Sequence, residues 1–396
     1  MKALLAWFGS AVAVLAQDGW VLTPEDAPFR LDFRPSLETT VWATDRPAPA
    51  LFESDDSAFI APRLLLDVDG SVGERFFGHA SVGVDRGFDP IAEEDGNIRL
   101  DEIFFRWQAF DDQRLNFQIG RFATVFGTSQ AGDDFFDNPF MLAPLPYSQI
   151  IGINTRNPAA VFSAAIAARA AGIAPPVASL EKENWASVIW GPAYATGASV
   201  FGSTAHFDYA AEIKNSNLSS HPDSWRGNGF DDPSWALRLG YRPDAAWAFG
   251  VSASRGPWLE DSVPGIDTGD FPQTNLGLDG RWAHGRMLVT GEVILSEFET
   301  PDAGDLRTAS WFLGGRYKVS PGVWVATRFG QMFANDAKSP AGTDVSWQAD
   351  VWRAEIAAGW QVTPSLLMKA SYAFTHTDDG GDAGEQLLGV GVGWQF

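Results

Sequence analysis

Cysteine is absent from the chain, so neither disulfide staples nor thiolate metal sites can support its fold. Lysine is scarce as well, with six residues in 396; beyond Lys2 it occurs only at Lys182, Lys214, Lys318, Lys338 and Lys369, and no cluster forms. The formal net charge of −22 excludes nucleic acid as a partner, because that binding needs grouped Lys and Arg to displace phosphate counterions. The five histidines, His79, His206, His221, His284 and His376, stand far apart and match no Ser–His or metal-binding spacing. The paired acids Glu93-Glu94 and Asp378-Asp379 fall in expected loops, where solvation explains them. No enzyme, no cofactor and no metal site is expected.

Long hydrophobic runs are missing too. Met1-Lys2, an apolar run from Ala3 to Ala16 broken only by Gly9 and Ser10, and then Gln17-Asp18 read as a secretory signal over residues 1–16, cleaved after Ala16. That run is too short for a helix that must cross a bilayer with about 20 residues, and no later segment is uniformly apolar, so a helical membrane protein is excluded.

What the chain has is glycine and aromatics: 40 Gly, 17 Trp and 29 Phe, with a mean hydropathy of −0.10. Strands with one apolar and one polar face average to such a value. Phe207, Tyr209, Ala211 and Ile213 alternate with Asp208, Glu212 and Lys214; Trp235, Leu237, Leu239 and Tyr241 oppose Arg238; Leu276, Leu278 and Trp282 oppose Asp279 and Arg281. The pattern continues with Trp352, Ala354, Ile356 and Trp360 against Arg353 and Glu355, and with Met368, Ala370, Tyr372 and Phe374 against Lys369 and Ser371. A period of two with charges opposite aromatics fits a barrel wall between lipid and a wet lumen.

Connections alternate between short turns, such as 111–113, 202–205, 242–246, 284–285, 319–322 and 362–365, and long polar loops at 215–233, 256–273, 298–306, 333–348 and 377–385. The alternation predicts a periplasmic and an extracellular rim. Working back from the end gives strands near 386–396, 366–376, 349–361, 322–332, 306–317, 286–297, 274–283, 247–255, 234–241, 206–214 and 195–202. The first part adds 114–122, 98–110, 74–86, 59–68 and a weakly patterned segment around Leu37 to Ala43. The expected fold is therefore all-β, a transmembrane antiparallel up-and-down barrel of about 16 strands over residues 17–396, with both termini periplasmic. Tyr241, Trp247, Trp282, Tyr317, Trp360, Trp394 and Phe396 fall beside short turns or at the chain end, where a periplasmic aromatic girdle belongs.

In the last ten residues Leu388, Val390, Val392, Trp394 and Phe396 share one face, and Gly389, Gly391 and Gly393 lie on the other. This resembles the closing strand of Gram-negative outer-membrane barrels, whose terminal Phe is that family's assembly signal. The resemblance implies export to the outer membrane, contact with lipid and lipopolysaccharide, and recognition by barrel-assembly machinery. The expected partner of this strand is the Leu37 segment, and its glycine face is expected to look into the lumen.

About 70 residues separate the strands at 114–122 and 195–202, far more than an ordinary loop. This excursion, 123–194, runs through Gly120-Arg121-Phe122, Phe126-Gly127, Asp133-Asp134-Phe135-Phe136-Asp137-Asn138-Pro139-Phe140 and Ala143-Pro144-Leu145-Pro146-Tyr147. Over residues 98–150 it resembles the porins grouped with phosphate-selective porins O and P, in which the loop after an early strand folds inward. The resemblance implies a pore constriction within 127–150, with Asp133, Asp134, Asp137 and Arg121 supplying opposed charges across a narrow aperture. Solvated loop aspartates are the competing reading. Residues 158–171 read as a short helix or an extra strand.

Alternation points Arg63, Arg106, Arg238, Arg281, Arg316, Arg328, Arg353 and Lys369 inward, together with Asp85, Asp208, Glu212, Asp279, Glu292 and Glu355. The lumen is thus mixed in charge. The expected function is an outer-membrane porin passing small hydrophilic solutes or ions by passive diffusion, trimeric by analogy. The alternatives are a substrate-specific channel for phosphate, another anion or a sugar, and a structural or adhesive barrel.

Overall fold

A computed structural model describes residues 15–16, 19–21, 28–46, 50, 52, 56–85, 97–128, 135–155, 185–221, 229–259, 267–301, 304–339, 341–378 and 384–396. Sixteen long strands dominate: β1 Phe29–Thr44, β2 Ala58–Val72, β3 Phe76–Asp85, β4 Asn97–Gln108, β5 Asn116–Phe122 and β6 Ala195–Ser203. They continue as β7 Phe207–Lys214, β8 Ser234–Tyr241, β9 Trp247–Pro257, β10 Pro272–His284 and β11 Met287–Phe298. The last five are β12 Leu306–Ser320, β13 Val323–Ala334, β14 Val351–Thr363, β15 Leu366–Thr377 and β16 Gly384–Gln395.

Each strand pairs antiparallel with its sequence neighbour, β6 pairs with β5 across the long excursion, and β16 closes the ring on β1, with Val390 opposite Val41 and Trp394 opposite Leu37. A closed ring leaves no sheet edge, so every ladder N–H and C=O can be satisfied inside a bilayer. The weakly patterned Leu37 segment is the longest strand of all. Pro35, the polar pair Thr39-Thr40 and an inward Trp42 hide its alternation, but register on both β16 and β2 fixes its faces.

The outer surface is apolar where a lipid face must be. Ile60, Leu64, Leu239, Val251, Leu278, Leu313 and Ile356 are exposed, whereas inward neighbours such as Glu38, Arg353 and Glu355 are buried. The burial string of β14 shows the same period of two, with alternate residues buried along Val351, Arg353, Glu355 and Ala357. Of the expected girdle, Tyr241, Trp247, Tyr317, Trp360, Trp394 and Phe396 are exposed and Trp282 is half-buried. The rings meet in a band: Trp394 lies 4.8 Å from Phe396, and Trp247 lies 5.5 Å from Phe249 and 6.1 Å from Trp282. A second band of Trp311, Phe329, Trp352 and Phe374 runs across β12 to β15 with centroid steps of 5.7, 5.9 and 5.3 Å.

Turns of the short rim use left-handed backbone at Gly73, Gly285 and Gly322. At the other end of the strands lie the long connections, including 215–233 and 335–350. Before β1, Leu15-Ala16 pairs with Gly19-Trp20, and Trp20-Val21 pairs with Phe33 and Asp32 on the edge of β1. Residues 1–14 of the expected signal lie outside the described residues.

Candidate functional site

Inward positions carry charge because the outward ones face lipid, and the barrel pairs most of those charges across the wall. Arg238 on β8 reaches over Gly250 of β9 to Asp279 on β10, with Nη2 donating to Oδ1 at 2.8 Å. A Cβ at Gly250 would collide with both partners, so this bridge requires the glycine. Arg328 of β13 grips Glu355 of β14 by two hydrogen bonds of 2.6 and 2.8 Å. Arg63 of β2 stands 3.9 Å from Glu38 of β1, and Lys214 stands 3.2 Å from Glu212 on β7. Arg106 donates to the Gln118 side-chain oxygen at 3.0 and 2.8 Å, its guanidinium between the rings of Phe104 and Phe201.

Described parts of the 123–194 excursion are tied to these inward groups at points around the ring. Thr124 Oγ1 donates to Glu212 at 2.7 Å, Val125 N donates to the same carboxylate at 3.1 Å, and Gly127 N donates to Ser252 Oγ on β9 at 3.1 Å. Opposite them, Lys369 Nζ of β15 donates to the carbonyls of Asn138 and Phe140 at 3.0 and 3.3 Å, and Arg328 donates to that of Leu142 at 2.7 Å. These cations act as caps for a backbone that has no ladder partner of its own.

Between the two attachments, the single-turn helix α1, Leu145–Ser148, starts after Pro144 and carries Pro146 where a missing N–H costs nothing. Tyr147 donates to Glu292 of β11 at 2.7 Å, and Ser148 Oγ accepts from Arg353 of β14 at 2.7 Å. Burial, with the Glu292 carboxylate alongside, holds the Tyr147 hydroxyl well above the ordinary tyrosine range, so it stays a donor. Phe126, Leu145, Ile151 and Ile153 complete an apolar cluster with Ile294, Phe312, Met332 and Val351 of the wall.

The glycine face of β16 does look inward, but it meets rings rather than water. A Cβ on Gly393 would lie 2.6 Å from Phe135 and 2.9 Å from Phe136; on Gly391 it would lie 2.9 Å from Met141, and on Gly389 2.6 Å from Trp42. Phe135 is buried there, with Lys369 Nζ 4.0 Å above its ring. The bare stripe is a seat for the Phe135-Phe136 corner.

Beside the docked segment remains a cavity of about 1040 Å³, bounded by inward residues of β4 to β13 and by Gly127, Thr128 and Asp137 to Phe140 of the excursion. Arg106, Arg238, Arg281, Arg316, Arg328 and Asp279 line it, and Asp137 is exposed to it.

Arg353 and Lys369 are instead buried under the excursion, as are Glu292 and Glu355. Arg121 is buried in the wall with Nε donating to the Leu100 carbonyl at 3.0 Å, and its register partners Ile103 and Thr196 are exposed on the outer face. Asp133 and Asp134, the side chain of Asp85, and the 158–171 segment lie outside the described residues. Sequence reasoning did not single out Tyr147, Thr124, Ser252 or the seat at Gly391 and Gly393. The signal for the seat was three glycines at period two on a wet face, matched by an isolated Phe-Phe pair.

No family model matches the chain, and no curated protein does. Solved structures do match over nearly the full length. The outer membrane channel DcaP of Acinetobacter baumannii is 10% identical with a TM-score of 0.61, covering 94% of this chain and 99% of that one. An anion-selective porin from Comamonas acidovorans is 11% identical at 0.58, covering 93% and 100%, and Pseudomonas putida OprB is 12% identical at 0.57, covering 92% and 94%. At such identities the likeness carries the architecture: the chain has the 16-stranded fold of Gram-negative outer-membrane channels.

Proposed function

We propose that the protein is an outer-membrane porin through which small hydrophilic solutes diffuse down their gradients. One observation carries this reading: a closed ring with an apolar exterior encloses a charged cavity of about 1040 Å³ next to an inward-tied segment. The tied segment supplies the constriction, and Asp137 facing the cavity's arginines supports a transverse field acting on solutes. Its aspartates and the resemblance of residues 98–150 to porins O and P belong to this same reading, as does the phosphate channel as its narrower form.

Residues 1–16 are read as the export signal, and the strand ending in Phe396 as the segment met by assembly machinery. A homotrimer in contact with lipid and lipopolysaccharide completes the proposal; a trimer form of Vibrio cholerae OmpT, 10% identical with a TM-score of 0.54, supports it. We read the chain as a channel without catalysis, its histidines being dispersed over strands, turns and loops.

The test is conductance of the purified, heat-modifiable protein in planar bilayers. Stepwise insertion currents are expected; a folded protein that inserts without conducting sinks the reading.

A further inference from the structure

We infer that the inner wall between Arg281 on β10 and Arg316 on β12 is a subsite for small dianions, such as sulfate, phosphate or a dicarboxylate, on the path through the lumen. The inference rests on the channel reading and names the solute class that reading leaves open.

The cavity is lined by six arginines and four acidic side chains, although the whole chain is strongly acidic. Pairing sharpens that local excess. Asp279 is held by Arg238, Asp208 lies 3.1 Å from Arg242, and Arg328 is spent on Glu355. Glu102 accepts from the backbone N–H of Ala123 at 2.9 Å on the β4 wall, with His79 3.7 Å away, and Asp137 sits on the inner segment. Arg281 and Arg316 differ from all of these: among the described residues neither has a hydrogen bond, an ion pair or a ring contact.

Register places the two on one patch of wall. Arg281 is opposite Thr290 of β11, Thr290 is opposite Gly314 of β12, and Arg316 is opposite Leu288. Two strand spacings and a two-residue offset put their Cα atoms about 12 Å apart, so both side chains can converge over the floor between them. That floor is bare: a Cβ on Gly314 would find nothing nearer than Arg328 Cγ at 3.6 Å and the Thr290 hydroxyl at 3.7 Å. Two guanidinium forks and a hydroxyl around an empty floor match the several acceptor oxygens of a dianion. Elsewhere in this lumen the same skip over one strand, Arg238 to Asp279, is satisfied internally; here the second partner is another arginine, which leaves the negative charge to be supplied by the solute.

The experiment uses the full-length protein in planar bilayers under a potassium chloride gradient, with sulfate then added. The expected wild-type result is a reversal potential on the anion side and a saturable reduction of chloride current by sulfate. Arg281→Gln with Arg316→Gln should weaken that block on the order of tenfold, as loss of charge-assisted hydrogen bonds implies, and reduce the anion preference. Arg281→Lys with Arg316→Lys should keep the preference and lose only part of the block. A conducting wild type that prefers potassium, shows no saturation with sulfate, or is blocked equally in the double glutamine variant overturns the subsite while leaving the channel standing. The wild-type and lysine-variant results decide the matter even where the glutamine variant does not fold. A folded protein that does not conduct refutes the channel reading and the subsite with it.

Discussion

Replacing Gly391 and Gly393 together by alanine should free the inward segment while leaving the barrel closed. Each added Cβ falls under 3.0 Å from carbon atoms of Phe135, Phe136 or Met141, distances that packed atoms do not adopt. The ladder cannot yield, because β16 is hydrogen-bonded to β15 on one side and β1 on the other, so the rings must move. Overpacking of this kind costs about 1–3 kcal/mol per site. Displacing Phe135 also surrenders its contact with Lys369, worth about 2 kcal/mol when desolvated. A total of about 3–6 kcal/mol is comparable with what holds the corner down. The backbone itself should gain slightly, since glycine weakens a strand interior, and opposite signs for barrel stability and segment docking are the signature of the mechanism. Single-channel recording should show higher conductance or added open-state noise, and limited proteolysis should cut within residues 129–142, with heat-modifiable mobility unchanged. A double variant that conducts and resists protease like the wild type refutes the seat.

Other outcomes follow from the same contacts. Lys369→Met removes the donor to two buried carbonyls and should cost about 2–4 kcal/mol of docking, visible as raised conductance without loss of folding. Tyr147→Phe leaves the Glu292 carboxylate without its 2.7 Å donor and should loosen the segment by about 1–3 kcal/mol, measured by the protease rate at 135–155. On the outer face, Ile356→Arg at mid-strand should destabilise the barrel by about 2–4 kcal/mol in urea titrations from vesicles, against about 0–1 for Trp360→Arg near the rim. Equal costs at the two positions would contradict the proposed membrane band.

The strands were legible because lipid and water impose a period of two that turns interrupt sharply. All sixteen expected segments overlap observed strands, and ends such as 234–241 coincide. β1 resisted because its inner face carries Trp42 and its outer face Thr39, reversing the usual polarity at both positions. For the lumen, parity placed Arg238, Arg281 and Arg328, but parity cannot say which acid two strands away accepts each one. It also misses uses of an inward cation inside the barrel: Arg353 and Lys369 cap an interior segment, and contact between residues more than 200 positions apart leaves no local trace. Arg121 was expected at an aperture on resemblance, yet it follows Gly120, whose left-handed φ of 134° bends the strand, and its Nε bonds the wall backbone.

The stripe that seats Phe135 belongs to the final strand, and Lys369 and Arg328, the caps beside it, belong to β15 and β13. Residues 135–142 therefore emerge during synthesis long before the surface they occupy exists. That surface is complete only when β16 meets β1. Narrowing of the passage is consequently a maturation step coupled to ring closure: a nascent barrel cannot be both open at its seam and restricted in its bore. Damage to the terminal strand should yield leaky pores as well as poorly assembled ones.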